Sequence, residues 1–323
     1  GAHQAGELEI AEGNYRHALK IAPENSDARH LLGVVLMHQG DMSSAEASIK
    51  HSLEIEPNNP SALDHLGVML ADSGKLREAI SCFAQALHLA PDYGSCWRNF
   101  GYTNELARDW PGAAKAYKKA IALDHSYVAA HYGLGGVLLQ IGDFEEALKS
   151  FESAISINPR DKSARIKRAE TLRRLRRFND AKAAYYEAFS LPEERAFLAQ
   201  NLGFCHAEEG NDIDALREFN KSLKEKPGAI EPSLGAAACL MRQGELAEAA
   251  TRLDSVLDHT PIHNQTLTFR SILHQLAGEK DKASRITNFD QDISIALLPI
   301  PEEFSDSSHF NSALASALMN NPT

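Results

Sequence analysis

Several groups of residues in this chain are of types that can carry chemistry. Arg165, Lys167, Arg168, Arg173, Arg174, Arg176 and Arg177 crowd one short stretch. Guanidinium groups at that density can hold phosphate or an acidic peptide through charge-assisted hydrogen bonds. The other use is pairing with carboxylates of neighbouring helices, which keeps a charged surface hydrated. Arg165, Lys167, Arg173, Arg174, Arg176 and Arg177 form the candidate anion patch, and Arg168, at a place where leucine fits a core, is expected to reach outward over an adjoining helix. Cys82, Cys96, Cys205 and Cys239 are widely separated with no CxxC pair, so neither a structural zinc nor a disulfide framework is indicated. His259 and His263 form HxxxH, but Pro261 between them puts the pair in a turn and not on one helix face, so no metal site is expected. The carboxylate pairs Glu145 with Glu146 and Glu208 with Glu209 read as hydrated surface, because a general acid or base needs a sheltered carboxyl. No GxxxxGK, GxSxG, HExxH or GxGxxG motif occurs. The chain is therefore expected to be no enzyme, with no cofactor and no small-molecule substrate.

Bulk charge narrows the partners. With 33 basic and 44 acidic residues the net charge is -11, which disfavours general attraction to nucleic acid or anionic lipid. No apolar run approaches the roughly 20 residues of a membrane span. Four thiols without a pairing pattern fit a reduced, cytoplasmic protein.

The elements that position these residues emerge when the chain is compared with itself. Alanine recurs every 34 residues at Ala11, Ala45, Ala79, Ala113, Ala147, Ala181, Ala215, Ala249 and Ala283, with no insertion or deletion between. Gly33, Gly67, Gly101, Gly135 and Gly203 form a second column, completed by Ala169, Ala237 and Ser271, where two helix backbones must approach closely. Tyr15, Ile49, Phe83, Tyr117, Phe151, Tyr185, Phe219 and Leu253 form a third, of bulky knobs that fill the holes the small residues leave. Gly40, Gly74, Gly142, Gly210, Gly244 and Gly278, with Gly6, can take the left-handed turn that closes one helix. Pro23, Pro57, Pro91, Pro159, Pro227 and Pro261 stop the next. Between these marks the apolar spacing is helical, so the fold is all-α. Cys205 and Cys239 share one column, which admits a redox pair, but we read them as small buried thiols in packing.

This unit, LxG followed by A, an aromatic, A and P over 34 residues, resembles the tetratricopeptide repeat across nearly the whole chain. The resemblance implies a right-handed superhelical solenoid of antiparallel helix hairpins. It divides the chain into a half unit at 1–25, eight units over 26–295 with the last degenerate, and a non-repeat tail at 296–323. Units are expected to start near Ser26, Pro60, Gly94, Val128, Lys162, Ala196, Ile230 and Asn264. Because the chain opens within a unit, the native start is expected upstream.

The resemblance also implies that first helices line a concave face that binds extended peptides or helices, so the expected partner is a protein or peptide. Projected onto this sequence, the family's contact places are Asp27, His30, Val34, Met37, Asp64, Arg98, Asn99, Tyr102, Glu105, Tyr132, Leu139, Ile166, Glu170, Arg173, Phe197, Gln200, Asn201, Phe204 and Met241. A carboxylate clamp for acidic tails is not expected, since Tyr102 stands where asparagine would follow Arg98. Nor is the asparagine ladder of the O-linked N-acetylglucosamine transferase arm: Asn99 and Asn201 fit, but Leu31, His65, Gly133, Lys167, Gly235 and Phe269 interrupt it.

Past Ile295 the periodicity fails. Phe310 to Met319 reads as a short capping helix, and PIPEEF with FNSALASALMNNPT resembles the opening of a 2-oxoglutarate/Fe(II) oxygenase domain that follows such arrays in some bacterial proteins. Two functions follow: a scaffold for protein or peptide binding, and a substrate-recruiting arm of a larger modifying enzyme, either that oxygenase or an O-GlcNAc-transferase-like glycosyltransferase.

Overall fold

A computed structural model describes residues 7–189, 191–260, 262–279 and 282–283. Among these residues there is no strand. The helices are α1 (Leu8–Ile21), α2 (Ser26–Gln39), α3 (Met42–Ile55), α4 (Pro60–Asp72), α5 (Leu76–Leu89), α6 (Gly94–Leu106), α7 (Trp110–Leu123) and α8 (Val128–Gln140). They continue with α9 (Phe144–Ile157), α10 (Lys162–Arg174), α11 (Phe178–Ala188), α12 (Arg195–Glu209), α13 (Asp212–Glu225), α14 (Ile230–Gln243), α15 (Leu246–His259) and α16 (Asn264–Leu276). A single 3-10 turn at Pro192–Glu194 precedes α12. The expected helix at Phe310–Met319 and the rest of the tail lie outside the described residues.

The chain divides into two compact units, 1–167 and 168–323. Within the first, α2 packs on α3, α4 on α5, α6 on α7 and α8 on α9, and each hairpin packs on the next. Within the second, α12 packs on α13 and α14 on α15, with α16 against α15. In each unit this is a solenoid of helix hairpins.

Local chemistry sets the ends of these helices. Asn25, Asp41, Asn59, Asp109, Asp143 and Asn211 each accept a hydrogen bond from the backbone N–H three residues on, capping the helix that follows. Every first helix closes the same way: Asp41, Lys75, Asp109, Asp143, Arg177, Asn211, Glu245 and Glu279 donate their backbone N–H to the carbonyl five residues back. This closure needs a left-handed residue just before the donor. Glycine supplies it at six places, but Arg108 (φ 60) and Arg176 (φ 58) are forced into that conformation in the two units that lack glycine.

Packing follows the columns. The nine recurring alanines are all buried, and so are Ile49, Phe83, Tyr117, Phe151, Tyr185, Phe219 and Leu253. Each bulky knob of a second helix fills a hole in its own first helix: a Cβ built on Gly33, Gly67, Gly101, Gly135 or Gly203 would stand 2.5 to 2.9 Å from Ile49, Phe83, Tyr117, Phe151 or Phe219 respectively. At two places the next first helix closes on the same ring from its other side, since a Cβ on Gly133 would meet Tyr117 Cζ at 2.5 Å and one on Gly235 would meet Phe219 Cζ at 2.5 Å.

Two measurements check this account. In urea unfolding, Arg108→Gly is expected to raise stability by about 1 kcal/mol by relieving the left-handed strain, and no gain would mean the turn is not strained. Gly133→Ala is expected to lose about 1–3 kcal/mol by overpacking against Tyr117, whereas Gly136→Ala, one turn away on α8 with no side chain or neighbouring backbone closer than 4.0 Å, gains up to about 1 kcal/mol from helix propensity.

Candidate functional site

The projected contact residues all lie on first helices, in two sets that belong to the two compact units. In the first unit, His30, Val34, Asp64 and Asn99 are buried, and His30, Asp64 and Asn99 bond across to the adjoining first helix. His30 Nε2 lies 3.0 Å from His65 Nδ1, which itself is 2.7 Å from the Ser61 carbonyl. Asn99 Nδ2 donates to Asp64 Oδ1 at 3.0 Å. Both pairs join residues 35 apart, so successive first helices are tied by polar side chains at a fixed register. Arg173 and Glu208 repeat that register as an ion pair in the second unit. Such pairs satisfy buried polar groups that would otherwise be costly, and hold adjoining hairpins in one alignment.

Other members of the first set are available to a partner. Tyr102 is 45% exposed, and Met37, Arg98, Glu105, Tyr132, Leu139 and Ile166 are half-buried. Arg98 Nε donates to Tyr127 Oη at 3.3 Å, and Tyr117 Oη donates to Glu105 Oε2 at 3.1 Å. Burial raises the Glu105 carboxyl above its ordinary value, opposed in part by the Tyr117 hydrogen bond. Tyr132 is partly held by an edge contact to Phe151, at 5.8 Å between centroids.

In the second unit, Met241 is buried, Glu170, Gln200 and Asn201 are half-buried, and Phe197 is 48% exposed. Phe204 packs edge-on against Phe219 at 5.2 Å, with the Arg173 guanidinium 5.9 Å above its ring. Phe197 and Gln200 line an open cleft of about 400 Å³ between α12, α13 and the start of α14, closed by Ser222, Lys226, Gly228, Ile230 and Glu231. Tyr185, Phe189 and Phe197 stack in sequence at 6.3 Å spacings, and the Lys226 ammonium lies 5.4 Å from the Phe197 ring. Glu231, in the first turn of α14, was not among the projected residues, and neither were Ser222 and Lys226, because these two sit on or beside the second helix α13 and the connecting turn. Tyr127 and Tyr117 escaped for the same reason. No first-helix pattern points to them, and only the cation beside the proline of the turn, Lys226 before Pro227, marks the cleft in the sequence.

The basic cluster is largely engaged. Arg165 donates to the Pro159 carbonyl at 2.5 Å, as Arg29 does to Pro23 one hundred and thirty-six residues earlier in the same column. Arg168 does reach outward, pairing with Glu187 of α11 at 2.5 Å, while Arg177 pairs with Asp180 at 2.8 Å and Arg176 lies over the Phe178 ring. Lys167 is half-buried and Arg174 exposed. Cys205 and Cys239 are fully buried, and burial pushes their thiols up to about 11 and about 12, away from the reactive thiolate. His259 is bonded to the Ser255 carbonyl, and His263 caps α16 through Thr266. Among the described residues, no group of three or more His, Cys, Asp or Glu is placed to hold a metal ion, and no helix is long and apolar enough to cross a membrane.

Hairpins stacked through small-residue columns, with polar and aromatic side chains gathered on the first helices, define a helical-repeat protein. Profiles of the tetratricopeptide repeat match residues 2–66, 66–124, 107–162 and 206–262, so the chain belongs to the tetratricopeptide-repeat family. No curated protein matches it. Solved structures share the fold. A tetratricopeptide repeat protein from Parabacteroides merdae is 17% identical, with a TM-score of 0.59 over 79% of this chain and 98% of its own. PilF of Pseudomonas aeruginosa is 20% identical, with a TM-score of 0.52 over 64% and 94%. A chain of the Cut9–Hcn1 hetero-tetramer of APC/C is 17% identical, with a TM-score of 0.54 over 74% of this chain and 47% of its own.

The His30–His65 contact has a pH consequence. Burial, then the charge of His65, lowers His30 from 6.5 to about 4, against a small opposing pull from Asp27. The unfolded chain therefore binds the extra proton between those values, so stability present above pH 6.5 is lost as pH falls toward 4, by up to about 3 kcal/mol. Urea midpoints measured across that window are expected to fall more steeply for the native chain than for His30→Gln. Equal slopes would remove the histidine from the account.

Proposed function

We propose that this chain is a protein-binding scaffold that holds an extended peptide or a helix of its partner against its first-helix faces, and that it performs no catalysis itself. One observation carries the reading. The large rings of the second helices at the repeating knob position are buried against small residues of the first helices, whereas on the first helices Tyr102 and Phe197 stand nearly half exposed among polar side chains that can orient a peptide backbone. Exposed aromatics flanked by hydrogen-bonding groups are the usual anchors of protein recognition. The Cut9–Hcn1 hetero-tetramer supplies a precedent for this fold within a protein assembly. Net charge of -11 supports protein over nucleic acid or anionic membrane as partner, and the four unpaired thiols support a cytoplasmic setting. The organisation that goes with this reading is a half unit at 1–25, eight units over 26–295 and a separate tail.

A second reading makes the chain the recruiting arm of a modifying enzyme, on the strength of PIPEEF at 299–304. Reading the gene beyond Thr323 separates the two: an HxD and a distal His favour the oxygenase arm, and a stop codon leaves the scaffold alone.

The scaffold reading is tested by quantitative pulldown from source lysate with Tyr102→Ala and Phe197→Ala. Both rings are exposed, so folding is expected to hold, and partner capture is expected to fall by about tenfold or more for at least one variant. Unchanged capture by both, with unfolding profiles intact, would move the binding surface off the first helices.

A further inference from the structure

The ring of Tyr117 lies between Gly101 of α6 and Gly133 of α8, and its hydroxyl emerges on the first-helix side, where it donates to Glu105 Oε2 at 3.1 Å. Arg98 and Tyr102 lie close enough to act electrostatically on that hydroxyl. The second carboxylate oxygen, Oε1, looks toward Gly136 of α8: a Cβ there would lie 4.0 Å from it and meet no side chain or neighbouring backbone closer. The absent side chain thus leaves open space above a half-buried carboxylate. Among the described residues no basic side chain forms an ion pair with Glu105. Arg98 is engaged with Tyr127 and stands seven residues toward the N-terminus of α6, roughly 10 Å along the helix axis. Burial disfavours the ionised carboxyl, and the missing element is a cation that can enter from solvent.

We propose that Glu105, with Gly136 and Tyr102 beside it, receives a lysine or arginine side chain of the bound peptide, an assignment that rests on the scaffold reading. The aliphatic stem passes over Gly136, where the missing side chain leaves room beside Glu105 Oε1. The cationic head meets Oε1 by a charge-assisted hydrogen bond, and the exposed Tyr102 ring, one turn before Glu105 on the same helix face, offers its negative face to the same cation. An apolar side chain would leave Glu105 without a counter-charge, so charge complementarity selects a basic residue.

The test uses the full chain, labelled with 15N, and two small probes: N-acetyl-arginine amide and its uncharged analogue N-acetyl-norleucine amide. The Gly136 and Tyr102 amide signals are expected to shift saturably with the arginine probe and about tenfold more weakly with the norleucine probe. Glu105→Gln, whose amide oxygen can still accept from Tyr117, is expected to erase the preference. Gly136→Leu, which favours the helix, is expected to close the space and abolish the shift. Equal response to both probes, no response to either, or unchanged binding by Glu105→Gln would overturn the proposal. Loss of partner capture by Tyr102→Ala alongside any of these results would leave the scaffold standing without its basic-residue site.

Discussion

The contact on which each stack of hairpins depends is the insertion of one large side chain between residues that have almost none. Phe83, Tyr117, Phe151 and Phe219 project from second helices into glycines of their own first helix. At Tyr117 and Phe219 the first helix of the next unit closes over the same ring. A ring held from two sides replaces water along its whole surface, and dispersion contacts at this density are what a small hairpin lacks when alone. It also sets the spacing between backbones, because the ring thickness and the bare glycine leave one distance at which neither void nor overlap remains. The buried alanines beside these rings keep the second helices equally close.

That spacing has a consequence for polar chemistry. Once two first helices are brought into register, side chains 35 residues apart in sequence face each other, and His30 with His65, Asp64 with Asn99, and Arg173 with Glu208 all use the opportunity. These pairs are local to their units and add alignment more than stability, since each also requires desolvating its partners. Residues so engaged are poorly placed to contact a peptide. Other first-helix side chains lie outside these pairs: Tyr102 and Phe197 stand nearly half exposed, and Glu105 is half-buried.

Tyr117 links the two levels. Its ring belongs to the core, yet its hydroxyl reaches Glu105 on the first-helix side. The residue that determines how closely α6 and α8 approach therefore also orients a carboxylate at the candidate site. In the second unit Phe189 acts similarly, passing the stack from buried Tyr185 to exposed Phe197. Sites supported from beneath by packed rings are held more firmly than sites on loops, at little added entropy.

Sequence alone determined the period, the helical class and the identity of the packing columns, because 34-residue repetition multiplies a weak local signal at Ala45, Phe83 or Gly135 into agreement among many units. It also located the turns, although it could not show that Arg108 and Arg176 are held at positive φ where other units use glycine. What tertiary structure decided was which first-helix residues are free. Asp64 and Tyr102 come from the same set of contact places, but one is buried against Asn99 and the other stands in solvent. Their difference arises from neighbours 15 to 35 positions away, across helix contacts whose side-chain geometry no local pattern encodes. The same holds for Lys226 beside Phe197 and for Gly136 above Glu105. Both are unremarked residues until the hairpins stack, since a site made between helices exists only at the separation their packed rings allow.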